Sequence, residues 1–141
     1  MKIGIANDHH GIELKKKIID YLEKNKIEYV DFGCNEKNNV DYVDYAKMVC
    51  DSINSKEIDL GILICGTGIG MSIAANKIKN IRAAKVNTKE EARLSREHNM
   101  ANVMTLAEYT NDIEGILYNF INTKPSQEER HIRRVEKINN L

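Results

Sequence analysis

The chain has 141 residues, 42% of them hydrophobic, which predicts a single domain spanning residues 1–141 with a core of its own. Its 21 basic and 21 acidic residues cancel, so the charge balance gives no sign of nucleic acid or membrane binding, and any anion site must be local. No apolar run approaches the ~20 residues of a membrane span, and no signal peptide precedes the strand-like KIGIA segment, so we expect a cytoplasmic protein.

Apolar runs with the character of strands alternate with segments of helical periodicity. The strands are predicted at residues 2–6, 27–32, 60–64, 81–86 and 101–106. Leu14, Ile18 and Leu22 repeat at helical spacing after the first strand. Thr88 and Glu91 have the spacing of a capping box that opens a fourth helix, and a last, highly charged helix is predicted after residue 125.

This alternation predicts an α/β fold, a Rossmann-like three-layer α/β/α sandwich with right-handed crossovers and an extra C-terminal helix. The five-stranded sheet is expected to be parallel, with the common strand order 2-1-3-4-5. In that order strands one and three are neighbours at the point where ligands bind, at the carboxyl ends of the strands.

A glycine-rich turn follows the third strand. Gly66, Gly68 and Gly70 allow the backbone to come close to a ligand, and the helix that follows directs unpaired N–H groups at the same small volume. The turn lacks the Gly-Lys-Ser/Thr of a P-loop and fits the dinucleotide fingerprint poorly. We therefore predict a phosphate or oxyanion cradle with the Cys65 thiol at its rim, not fully enclosed.

Asp8 and His9 follow the first strand, so they are expected to flank the same crevice as Cys65. Asp8 could instead cap the next helix, and His9 could be an ordinary surface residue. Metal ligation by Asp8, His9 and His10 would need a second carboxylate or histidine cluster, so no metal is predicted.

Two further groups lie elsewhere along the chain. His98 and Asn99 close the fourth helix, so they are expected at the opposite edge of the sheet from the crevice, where they would serve a second subunit if they are functional. Arg130 and Arg134 lie one turn apart beside His131, and a bound dianion would reverse their mutual repulsion. Without the anion cradle, these groups would be interpreted as a dipole contact and a solvated charged face.

The chain has three cysteines, Cys34, Cys50 and Cys65, without CxxC spacing, which fits a reducing compartment better than a disulfide or zinc framework. Cys50 lies on the apolar face of the second helix and is predicted in the core. Cys34 is given no role. Cys65 could also be a small buried residue, but its place at a strand end beside the turn favours a function.

Five segments carry a resemblance that covers essentially the whole chain: NDHHG, VDYVDYA, GILICGTGIGMSIAANK, SREHNMAN and ERHIRRVEKI. Together they closely resemble ribose-5-phosphate isomerase B, within the larger family that includes galactose-6-phosphate isomerase. The ICGTGIG and IAANK segments are highly specific, and HNMAN favours the pentose branch. The resemblance implies an aldose-ketose isomerase that interconverts D-ribose 5-phosphate and D-ribulose 5-phosphate through an enediolate, without a cofactor or metal. It also implies a homodimer with shared active sites, which can pair into a tetramer.

The resemblance further implies residue roles. Cys65 matches the general base that moves the proton between C1 and C2, Thr67 assists it, and His98 matches the residue that opens the furanose ring. A backbone loop holds the enediolate, and further positions bind the sugar and its phosphate. These substrate-binding positions are Asp8, His9, Gly66, Gly68, Ile69, Gly70, Asn99, Arg130 and Arg134. The chemistry agrees, because a thiol near a helix N-terminus can act as the base and backbone amides can stabilise the enediolate.

Three departures leave the substrate open. Relatives commonly have a Gly-x-Arg element after the fifth strand, where this chain has LAEYTNDIEG and no arginine between Arg96 and Arg130. Val43 replaces the usual proline, and His10 replaces an apolar residue beside the pocket. Allose 6-phosphate, galactose 6-phosphate or another pentose phosphate therefore remains an alternative substrate.

Two hypotheses assign a different class of function. A sugar-phosphate-binding subunit without catalysis is one, and turnover by the purified chain discriminates against it. A phosphoesterase suggested by the Asp-His-His sequence is the other, and activity that survives a chelator argues against that one.

Overall fold

Strands and helices alternate through the chain in a computed structural model, which describes residues 1–141. The five strands are β1 (Lys2–Asn7), β2 (Glu28–Asp31), β3 (Leu60–Cys65), β4 (Ala83–Lys85) and β5 (Val103–Ala107). The six helices are α1 (Ile12–Lys24), α2 (Tyr42–Asn54), α3 (Ile69–Asn76), α4 (Lys89–Asn99), α5 (Ile113–Asn122) and α6 (Glu129–Asn139). All strand pairs are parallel, so the predicted fold class is confirmed, including the extra C-terminal helix.

The order of the strands is β2-β1-β3-β5-β4, so the predicted order of the last two strands is wrong. The five residues of β5 are all buried, whereas the three residues of β4 are each partly exposed. A strand buried on both faces belongs inside a parallel sheet, and a short strand that follows Arg82 and ends in Lys85 tolerates the edge. β5 therefore lies beside β3, and β4 closes the sheet.

Helices cover both faces of the sheet and form two cores. On one face α1, α4 and α5 pack over a cluster that includes Ile5, Ile62 and Phe120. On the other face α2 and α3 pack over a cluster that includes Leu63 and Met71. None of the helices combines the length and apolar character needed to cross a membrane.

The last helix, α6, lies at the amino edge of the sheet. The Ser126 N–H, just before α6, donates to the Glu97 carbonyl near the end of α4 at 2.8 Å. Near the other end of α6, an Arg82 Nη1–H donates to Asn139 Oδ1 at 2.7 Å, and Arg82 immediately precedes β4. Because the end of α4 and the start of β4 both belong to the amino edge, α6 is held there at each end.

Candidate active site

The carboxyl ends of β1 and β3 lie side by side. Asn7 pairs with Ile64 across the two strands, and the Asp8 N–H donates to the Ile64 carbonyl at 3.0 Å. The residues that follow each strand therefore share one crevice, as the sequence predicts. A Cβ placed on Gly66 would lie 3.6 Å from His10 Cδ2, so the glycine turn contacts the segment after β1 directly.

At Gly68 the glycine turn adopts a backbone conformation that only glycine fits. Its φ is +76°, and a Cβ there would come within 2.9 Å of the Leu106 carbonyl carbon. The Thr105 hydroxyl donates to the Gly68 carbonyl at 3.0 Å, which attaches the turn to β5. A Cβ at Gly70 would come within 2.6 Å of Tyr42 Cζ, so the Tyr42 ring packs closely over the helix start.

The Cys65 side chain is buried, with only 4% of its surface exposed, so the prediction that it stands open at the rim is wrong. Cys65 is the last residue of β3 and packs in the core with Met71 and Ala75 of α3. The turn folds back over it, and the Gly68 N–H donates to the sulfur at 3.1 Å. The same turn therefore both encloses the sulfur and donates a backbone hydrogen bond to it.

Several amides of the turn have no acceptor within the chain. The N–H groups of Gly66, Thr67 and Gly70 donate no hydrogen bond, while the Ile69 N–H donates to Thr67 Oγ1 at 3.2 Å. Thr67 and Ile69 are both exposed. Three free donors beside one sulfur form the kind of cradle that binds an oxyanion.

Asp8 and His9 are both engaged beside this turn. Asp8 is buried, and its Oδ1 accepts from the His10 N–H at 2.9 Å, so it does not cap α1, whose N-cap is Gly11. His9 Nδ1 accepts from the Val40 N–H at 3.3 Å. That bond places the proton of a neutral His9 ring on Nε2, where it is available to donate to a ligand.

His10 faces an acidic residue across the crevice. Its Nδ1 lies 3.7 Å from Glu108 Oε2, and its ring centroid lies 4.2 Å from that of His9. Glu108 follows β5, and its N–H donates to the Cys65 carbonyl at 3.0 Å. A carboxylate therefore lies at the rim, within the stretch between Arg96 and Arg130 that contains no arginine.

A second polar cluster lies where α4 ends and α6 begins. His98 of α4 stacks on His131 of α6, with ring centroids 4.2 Å apart and an interplanar angle of 6°. Asn99 is exposed beside His98. Arg130 Nε donates to Glu128 Oε2 at 2.7 Å, and this arginine lowers the pKa of the Glu128 carboxyl. Arg134 is exposed and makes no ion pair.

The two clusters lie at opposite edges of the sheet, as the sequence predicts. Cys65 is paired with Ala107 at the carboxyl edge, whereas His98 precedes Val103 at the amino edge. The length of β5 between these levels is roughly 13 Å. One chain therefore does not bring His98 next to Cys65.

The chain is similar to proteins of a known family along almost its whole length. Residues 3–138 match the model of the ribose/galactose isomerase family. The chain belongs to this family. It is 45% identical over 106 residues to ribose-5-P isomerase B of Listeria innocua, which covers 75% of this chain and 72% of the relative.

Solved structures of ribose-5-phosphate isomerase B share the fold. The Clostridium thermocellum protein superposes with a TM-score of 0.94 at 44% identity, covering 99% of this chain and 96% of that one. The Mycoplasma genitalium protein with bound ribulose-5-phosphate superposes with a TM-score of 0.90 at 41% identity, covering 99% and 94%. These matches confirm the family recognised from the sequence and the predicted reaction class. The chain is a sugar-phosphate isomerase of the ribose/galactose isomerase family.

Sequence reasoning missed the roles of three residues around these clusters. Glu108 lies at the rim, Tyr42 packs over Gly70, and His131 stacks on His98. His131 and Val135 are the buried residues of α6, and their spacing of four is a signal that the sequence contained. Nothing in the local sequence of Glu108 or Tyr42 indicates their neighbours, because those contacts depend on the fold.

Proposed function

We propose that this isomerase interconverts D-ribose 5-phosphate and D-ribulose 5-phosphate by proton transfer through an enediolate. The observation that carries the proposal is the Cys65 sulfur, which accepts the Gly68 N–H under a turn with three free amides. A thiolate can take a proton α to a carbonyl, and the free amides can bind the oxygen on which charge develops. Both requirements of the reaction meet at one strand end.

The reaction balances without an external reagent. Ring opening breaks the C1–O4 bond, O4 gains a proton, and the C1 hydroxyl loses one to give the aldehyde. Cys65 then removes the C2 proton, and O1 carries the negative charge of the enediolate. The O2 proton next moves to O1, which transfers the charge to O2, and the same sulfur returns its proton to C1, leaving C2 as the carbonyl of the ketose.

The burial of Cys65 suits this chemistry. The exposed part of Cys65 is only 4% of its surface, so we expect a single carbon atom of the open-chain sugar to approach it there, while the turn limits contact with water. Low water content strengthens the interaction between the amides and the enediolate oxygen. Thr67 and the exposed Ile69 form the outer side of this turn.

The proposed site is shared between two chains of a homodimer. His98, the proposed ring-opening residue, lies at the opposite edge of the sheet from Cys65, so a partner chain would supply it. Exposed apolar side chains beside the glycine turn support such an interface, because Val43, Ile69 and Ile73 are each more than half exposed. Val43 and Ile73 border a groove of about 320 Å³.

Arg130 and Arg134 are proposed to hold the phosphate, with Asn99 beside them. Arg134 has no internal partner, and Arg130 is held only by the exposed Glu128, so a dianion would gain two charge-assisted partners. A phosphate bound far from the reacting carbons fixes the sugar and lets Cys65 act within a defined geometry. Asp8 and His9 would then contact the sugar beside the glycine turn.

The test is turnover by the purified chain with ribose 5-phosphate, using Cys65→Ala and the control Cys50→Ala. Cys50 is fully buried in α2, and burial raises its pKa to about 12, so it contributes no thiolate. Cys65→Ala is expected to lose activity by about a hundredfold or more, since a general base typically supplies 10²–10⁴. Cys50→Ala is expected to stay within a few-fold of the unmodified chain.

The alternative substrates and the alternative of a binding subunit predict different outcomes of the same assay. A faster rate with allose 6-phosphate or galactose 6-phosphate than with ribose 5-phosphate would reassign the substrate and leave the mechanism in place. No turnover of any of these sugars would support a binding subunit without catalysis. Full activity in Cys65→Ala would overturn the assignment of the base.

A further inference from the structure

A second imidazole stacks on one face of the His98 ring. His131 lies parallel to it at a centroid distance of 4.2 Å and an angle of 6°, so the two rings share one face. The His98 side chain remains 37% exposed, and its other neighbour is Glu97, whose Oε1 lies 3.7 Å from His98 Nε2. The stack therefore covers one face of His98 and leaves part of its edge open.

His131 itself has almost no solvent contact. It is 6% exposed, and its Nε2 is buried without a hydrogen-bond partner. Burial, followed by the nearby charges of His98, Arg130 and Arg134, lowers the pKa of His131, and Glu128 opposes this only in part. His131 thus remains neutral under conditions in which an exposed histidine would begin to take up a proton.

A neutral ring is the partner that an acid–base histidine needs. Two protonated imidazoles stacked at this distance would repel each other strongly in a partly buried site. A neutral, buried ring holds the plane of its neighbour and lets that neighbour take up and release a proton without a second charge beside it. The arginines one residue before and three residues after His131 would repel a second positive charge as well.

We infer that His131 is a positioning residue for His98 in ring opening, acting through the stack of the two rings and without itself contacting the reacting atoms. The inference rests on the proposed function, in which His98 opens the furanose ring. It predicts a selective defect, because ring opening is needed only for the cyclic aldose. Ribulose 5-phosphate cannot form a furanose ring, since its C5 oxygen carries the phosphate.

The experiment compares two reactions in the same variants. The first is conversion of ribose 5-phosphate to ribulose 5-phosphate, which requires ring opening. The second is incorporation of deuterium from D₂O at C1 of ribulose 5-phosphate, which requires only the enediolate step at Cys65. The variants are His131→Ala, which removes the ring, His131→Phe, which keeps a planar ring, and His131→Leu, which fills the space without one.

His131→Ala and His131→Leu are expected to lower kcat for ribose 5-phosphate by about tenfold or more, while deuterium incorporation stays within about twofold. His131→Phe is expected to recover most of the lost kcat, because stacking is retained. KM should change little, since Arg130 and Arg134 are intact. Arg133→Ala is the matched control on α6, because Arg133 is exposed and pairs only with Glu129, and both of its rates should match the unmodified chain.

Three results would overturn the inference. Equal losses in both reactions would indicate a general structural role, and unchanged rates in His131→Ala and His131→Leu would indicate no role in ring opening. A His131→Phe variant as defective as His131→Leu would exclude stacking as the cause. If the unmodified chain performs neither reaction, the proposed function itself fails and this inference fails with it. If Cys65→Ala loses both reactions while the His131 variants lose neither, only this inference fails.

Discussion

Gly68 is the residue on which the geometry of the glycine turn depends most directly. Its left-handed φ of +76° places its N–H on the Cys65 sulfur and its carbonyl on the Thr105 hydroxyl. Any other residue would meet both an unfavourable backbone conformation and the backbone of β5 at 2.9 Å. The same atom positions therefore serve folding and the proposed chemistry.

Gly68→Ala is expected to lower the free energy of unfolding by about 2 kcal/mol or more, from backbone strain and displacement of β5. Isomerase activity should fall at least about tenfold, because the amide that faces the sulfur moves. Urea denaturation and steady-state kinetics measure the two effects.

Gly66→Ala is the matched control for stability, because a Cβ there meets nothing closer than 3.6 Å and its φ is not left-handed. We expect its free energy of unfolding to stay within about 0.5 kcal/mol of the unmodified chain. Equal stability of the Gly68 and Gly66 variants would contradict the steric account.

At the level of residues, the sequence predicted which groups meet but not how exposed they are. Asp8 and Cys65 were placed at one crevice, because the ends of adjacent parallel strands must converge, and they do. The depth of Cys65 was not predictable, because it depends on how the turn folds back over the strand end. The stacking of His131 on His98 depends on the path of α6 across the sheet, which no local pattern encodes.

Among the elements, α4 shows the sequence signal and the structure in closest agreement. Thr88 Oγ1 accepts from the Glu91 N–H at 3.1 Å, which confirms the Thr88 half of the predicted capping box, whereas Glu91 Oε2 accepts from the Asn87 N–H at 2.5 Å and not from the Thr88 N–H. This cap begins the helix whose last turn carries His98. The stability of α4 is thus linked to the placement of the proposed ring-opening residue.

Thr88→Ala is expected to lower the free energy of unfolding by about 1 kcal/mol, because one N–H at the helix start loses its acceptor. For a chain of this size that loss lowers Tm by roughly 2–4 °C, as thermal unfolding followed by circular dichroism would show. Thr88→Ser keeps the oxygen and should remain close to the unmodified chain. A Tm loss of the same size in Thr88→Ser would indicate that the cap is not the cause.

For the strands, the periodicity of the sequence predicts where they lie along the chain but not their order in the sheet. Apolar runs predicted all five strands, but the order of β4 and β5 came from the commonest arrangement and was wrong. The composition did contain the answer, since β5 reads VMTLA without a charge and β4 reads AAK after Arg82. Comparing how well each strand tolerates burial on both faces would have placed β5 inside the sheet.

On the scale of the whole molecule, the position of α6 divides the proposed site. Helix α6 carries Arg130, His131 and Arg134 at the amino edge, while the glycine turn lies at the carboxyl edge of the same sheet. A sugar phosphate bound to one turn is therefore expected to reach the amino-edge cluster of a second chain. This arrangement makes each active site a product of two polypeptides, which a subunit-mixing experiment can test.

Cys65→Ala and His98→Ala are each expected to be nearly inactive, and mixing them is expected to restore activity. In a mixed dimer one site receives both substitutions and the other receives neither. Random pairing of equal amounts gives about half mixed dimers, each with one intact site, so about a quarter of the unmodified activity should return. The variants would be refolded together and assayed with ribose 5-phosphate.

The matched control mixes Cys65→Ala with Asp8→Asn, because both residues belong to the carboxyl-edge cluster and every mixed dimer then carries a defect at each site. Activity should stay at the level of the separate variants. A site built within one chain would give no recovery in either mixture, since neither polypeptide would hold an intact set. Recovery only when the two substitutions lie at opposite edges of the sheet thus follows from the fold of a single chain together with the proposed dimer.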